Sequence, residues 1–80
     1  MDDKYLILSL AKREIEKKLE RAQADIKKKS EKLRQLDVFR DSKARRRNAR
    51  IALTCACEER DRWERRLEIV NKWMEEIKNE

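Results

Sequence analysis

The chain has 80 residues, 23 Lys or Arg against 17 Asp or Glu, a net charge of +6, and no glycine, proline or histidine. Half of it is charged and its mean hydropathy is −1.13, so apolar side chains must keep to narrow seams and a thick globular core is excluded. A zinc site within one chain lacks four good ligands, because only Cys55 and Cys57 are available. Two positions apart on a helix, those cysteines point ~200° away from each other and cannot bridge, so they read as packing residues of a reducing compartment.

The N-terminal apolar stretch Tyr5-Leu6-Ile7-Leu8-Ser9-Leu10-Ala11 is far shorter than the ~18 residues of a membrane span and lacks the basic flank of a signal peptide. The expectation is a cytoplasmic protein with no membrane contact. From Tyr5 onward, a 3-4 spacing picks out Tyr5, Leu8, Lys12, Ile15, Leu19, Ala22, Ile26, Lys29, Leu33 and Leu36, one face of a long helix interrupted by two lysines. Recurrence this regular separates the chain from disordered sequences of similar charge.

Beyond Leu36 the same phase falls on Arg40, Lys43, Arg47 and Arg50, all charged, and the apolar series resumes one residue out of step. Asp41 and Ser42 are good N-cap residues, with Val38 or Phe39 placed to staple the new helix from outside. A turn is therefore expected at about residues 37–42, between a first helix of about 3–37 and a second of about 42–78. The second helix carries Ala49, Leu53, Ala56, Arg60, Trp63, Leu67, Val70, Met74 and Ile77 at 3-4 spacing, interrupted by one arginine.

The fold class that follows is all-α: a single two-helix antiparallel coiled-coil hairpin spanning residues 1–80, completed by dimerisation or by a partner. Pairing positions whose numbers sum to about 82 sets Ile26 against Ala56 and Leu33 against Ala49, large against small. It sets Lys12 against Val70 and Ala22 against Arg60, where aliphatic stems line the seam and charges reach water.

Charge is concentrated at the turn. Between Lys27 and Arg50 there are 11 Lys or Arg and three acids, a local balance of +8, leaving −2 for the rest. The densest part, Arg40, Lys43, Arg45, Arg46, Arg47 and Arg50, is the candidate site for phosphate groups or an acidic protein surface, since guanidinium forks bind both. A solvated face with no ligand is the plain alternative. Arg45-Arg46-Arg47-Asn48 followed by Ala52 resembles a basic-leucine-zipper basic region, but Cys55 stands where that pattern wants an arginine, and Glu58-Glu59 follow.

At the other end, Leu6, Leu10, Ile69 and Trp73 lie off the seam and form a candidate protein interface, with Trp73 as anchor. Nothing supports catalysis: there is no Gly-rich phosphate loop and no nucleophile with a base at a motif spacing. No catalytic residue, cofactor, metal or small-molecule substrate is expected.

Leu10-Ala11, Arg13-Glu14, Glu16, Leu19, Ala22-Gln23, Glu31-Lys32-Leu33-Arg34-Gln35-Leu36 and Phe39-Arg40 resemble the opening helix of the FliJ and YscO type of export-gate stalk proteins. That resemblance implies an antiparallel two-helix coiled coil touching an export ATPase and gate. It covers the first half only, the chain is shorter than that family, and no functional residue is carried over. The reading from the residues themselves is a non-enzymatic adaptor or regulator that binds another protein or itself, including the form of an inhibitor of a nucleic-acid-handling complex. The alternative is a DNA- or RNA-binding hairpin contacting phosphates through its arginine-rich turn.

Overall fold

The computed structural model describes residues 3–79, and in it the chain is a helical hairpin of two equal arms. Helix α1 runs Asp3–Val38 and α2 runs Lys43–Lys78, each of 36 residues. The arms lie side by side in a rod of 58 × 14 × 13 Å. With no glycine or proline in either arm, the i→i−4 ladder runs unbroken.

The two seams meet along the rod. On α1, Leu8, Lys12, Ile15, Leu19, Ile26, Lys29, Leu33 and Leu36 are half-buried and Ala22 is buried. On α2, Ala49, Leu53, Arg60, Trp63, Leu67, Met74 and Ile77 are half-buried, while Ala56 and Val70 are buried. The register shows in Lys18, whose ammonium sits 5.9 Å from the Trp63 ring, and in the groove shared by Lys4 and Ile77. Both pairs sum to 81, one residue from the expected register.

Two helices side by side cannot wrap a large side chain completely. Only Ala22, Ala56 and Val70 fall in the buried class among the described residues, and no side chain is fully enclosed. Small residues are buried best because they let the backbones approach, which leaves their larger neighbours covered on one side only.

The turn is built from backbone bonds and one unusual residue. Asp41 N–H donates to the Leu36 carbonyl at 3.0 Å and Arg40 N–H to the Asp37 carbonyl at 3.3 Å, the paired 6→1 and 5→2 bonds of a Schellman helix end. That motif places its C′ residue in the left-handed region, and here Arg40 takes it with φ 50° in place of the usual glycine. Ser42 then caps α2, its hydroxyl accepting from Arg45 N–H at 3.2 Å. The expected staple from Val38 or Phe39 does not form: both side chains stand exposed, because the position before the cap is Asp41, whose carboxylate accepts from Ser42 N–H at 2.7 Å and pairs with Arg45 at 3.7 Å.

Relieving the left-handed arginine should stabilise the hairpin. Arg40→Gly is expected to add about 1 kcal/mol and raise the melting midpoint by several degrees in thermal unfolding followed by circular dichroism. An unchanged or lowered midpoint would show that the side chain carries no penalty in this turn.

Candidate interaction surfaces at the two ends

The turn end is where the helix termini and the charges conflict. A helix N-terminus carries partial positive charge, yet α2 opens Lys43-Ala44-Arg45-Arg46 with no acid in its first turn. The last turn of α1 has no basic residue and includes Asp37. Local stability would favour the reverse arrangement on both arms. Two ion pairs moderate it, Arg45 with Asp41 and Arg50 with Asp37 at 3.5 Å, the latter tying the helices together.

The six candidate tip residues therefore differ. Arg40, Lys43 and Arg47 are exposed and make no ion pair among the described residues. Arg45 and Arg50 are exposed but shared with carboxylates. Arg46 is half-buried, and its Nε is covered with no hydrogen-bond partner, which leaves only the outer guanidinium nitrogens to meet a ligand. Beside them a groove is floored by Leu36, Ala49 and Ala52 and rimmed by Lys29, Lys32 and Arg45. The sequence reading passed over Lys29 as a seam residue; here it holds Asp25 at 2.6 Å while also lining this groove.

At the open end the four candidate interface residues are exposed: Leu6 53%, Leu10 58%, Ile69 47% and Trp73 52%. Trp73 lines a groove with Lys4, Ile7, Leu8, Glu76 and Ile77, which includes none of Leu6, Leu10 and Ile69. Ile7, 64% exposed, is the residue that sequence reasoning missed. It joins the group, because Leu10 lies ~60° and Leu6 ~100° further round α1, so the apolar surface passes from Trp73 across the groove to Ile7 and then outward. The signal was present in the run Leu6-Ile7-Leu8, where three successive apolar residues cannot all face one seam.

Between the ends, a third groove is lined by Lys18, Arg21, Ala22, Asp25, Glu59 and Trp63. Its residues continue those of the other two at 3-4 spacing, so all three grooves lie on one side of the rod. The Arg66 guanidinium lies 4.6 Å from the Trp63 ring and holds that indole in the seam. Arg60 is raised further above its ordinary value, first by its hydrogen bond to Asp61 and by that carboxylate's charge. Cys55 and Cys57 are free thiols. Among the described residues no cluster of His, Cys, Asp or Glu could hold a metal ion, and no helix is long and apolar enough to cross a membrane.

The two tryptophans should separate structure from surface. Trp63→Ala removes a seam side chain and is expected to cost about 3 kcal/mol in denaturant unfolding. Trp73→Ala, outside the seam, is expected to cost under about 1 kcal/mol. Equal losses would place Trp73 in the fold's support instead of on its surface.

No family model, no curated protein and no solved structure matches the chain.

Proposed function

We propose that this hairpin is a non-enzymatic, protein-binding adaptor or regulator that works through its two ends. What supports the reading best is Trp73, half-exposed in a groove with Ile7 and Leu8 at the end opposite the charge. Aromatic side chains of this kind, beside apolar neighbours and a polar rim, are the usual anchors of protein interfaces. The turn end supplies a second contact, where exposed Arg40, Lys43 and Arg47 and the half-satisfied Arg46 suit an acidic protein surface. A ligand that blocks a nucleic-acid-handling complex by occupying its phosphate channel is one form of such a regulator.

Phosphates of DNA or RNA are the second reading, favoured by one observation: α2 begins with cations at its own positive pole, a place where an anion relieves both.

Salt and mutation separate the two. Immobilised protein is incubated with cell extract, with and without nuclease, at low and physiological salt. A protein ligand should be retained at physiological salt, survive nuclease and be lost with Trp73→Ala. Retention that vanishes with salt, nuclease or the Arg45/Arg46/Arg47→Ala triple variant, and ignores Trp73→Ala, would move the function to nucleic acid at the tip.

A further inference from the structure

The groove at the open end belongs to a surface with a repeated charge order. On α1 the residues along this side are Lys4, Ile7, Ala11 and Glu14: cation, apolar, apolar, anion. On α2 they are Arg66, Ile69, Trp73 and Glu76, the same order read in chain direction. Lys4, Ile7, Trp73 and Glu76 line the groove together. The other four continue the same 3-4 steps toward Lys18 and Glu59, which line the next groove on that side.

Such a strip is complementary to its own reverse. Laid antiparallel on a copy of itself, the basic position of each strip lies level with the acidic position of the other, Arg66 meets Glu76, and the apolar pairs meet in the middle. One two-fold axis must serve both helices for this to work, and it does. The strip centres fall between Ile7 and Ala11 on α1 and between Ile69 and Trp73 on α2, level in the observed register to within about one residue, or ~1.5 Å.

Resting on the reading of the open end as a docking end, we infer that its occupant is a second copy of this chain, in an isologous, end-overlapping antiparallel contact. Trp73 packs against Ile69 of the second copy, Ile7 against Ala11, and Glu76 reaches Arg66. Among the described residues Glu76 makes no ion pair, and it is exposed, so it offers its carboxylate to the other copy.

Electrostatics selects this orientation over the parallel one. Side by side in the same direction, two copies would place two +8 turn regions against each other. The antiparallel overlap sends them to opposite extremities of an assembly of about 100 Å, since the overlap of ~17 Å is short against a 58 Å rod. An overlap this short lies at the low end of interface sizes, so weak, concentration-dependent association is expected.

Sedimentation velocity from 1 to about 500 μM, with small-angle scattering at the upper end, tests the inference. The expected result is a concentration-dependent dimer whose maximum dimension approaches about 100 Å. Trp73→Glu should weaken it more than tenfold while circular dichroism shows both helices intact. Glu76→Arg and Arg66→Glu should each weaken it about fivefold, and the two combined should restore it, because the exchanged strip is again self-complementary. A monomer at 500 μM, a dimer no longer than one rod, indifference to Trp73→Glu, or failure of the exchange to rescue would each overturn it. If the wild type stays monomeric while Trp73→Ala still abolishes capture of a different protein, the second-copy inference falls and the docking end stands. If Trp73→Ala alters neither, both fall.

Discussion

Everything in this molecule depends on how little of a helix a single neighbouring helix can cover. An α-helix in a two-helix rod contacts its partner along a stripe two residues wide in every seven, and the third and fourth sides remain in water. Ala22, Ala56 and Val70 mark the places where that stripe is closed to solvent. Ile15, Leu19, Trp63 and Leu67 stay half-covered. The hairpin holds because its helices are long and its apolar contacts repeat, and because the polar residues in the seam, Lys12, Lys29 and Arg60, can bury stems without burying charge.

That same constraint explains how the ends come to differ. In the middle of the rod the stripe is flanked by charged residues, with Arg66 and Lys18 placed over Trp63. At the open end apolar residues spread sideways from the stripe through Ile7 and Trp73 and onward round α1. At the turn the opposite occurs, and cations gather where a helix N-terminus already carries positive charge. Local rules of helix stability are broken there by Arg40, by the opening of α2 and by the covered Nε of Arg46. Those breaches collect where the sequence also concentrates its cations.

Much of the architecture was legible in the amino-acid sequence because a hairpin of two uninterrupted helices is written in one dimension. The 3-4 series from Tyr5 to Leu36 and from Ala49 to Ile77 names the covered faces, except at Tyr5, which stands exposed, and the phase slip after Leu36 names the turn. The turn's chemistry was less legible. Without a glycine the left-handed residue could not be picked out, and the staple assigned to Val38 or Phe39 depended on which residue preceded the cap. The apolar end was read residue by residue off the seam, which found Leu6, Leu10, Ile69 and Trp73. It missed Ile7, whose role needs the two helices in register. The export-gate resemblance rested on charged heptad composition, which many helices share.

The rod is several times longer than the ~8 Å over which physiological salt screens a charge. Its two ends are therefore electrically deaf to each other: filling the cationic turn cannot shift the energy of the apolar groove through the field, and must do so, if at all, by moving the helices. An anionic surface, however, acts on the near end alone, and a rigid body charged at one pole experiences a torque before it makes contact. The hairpin would arrive turn first and stand off that surface, holding Trp73 some 50 Å away. In the proposed two-ended role its length works as a ruler as much as a scaffold, fixing the separation between what each end would touch.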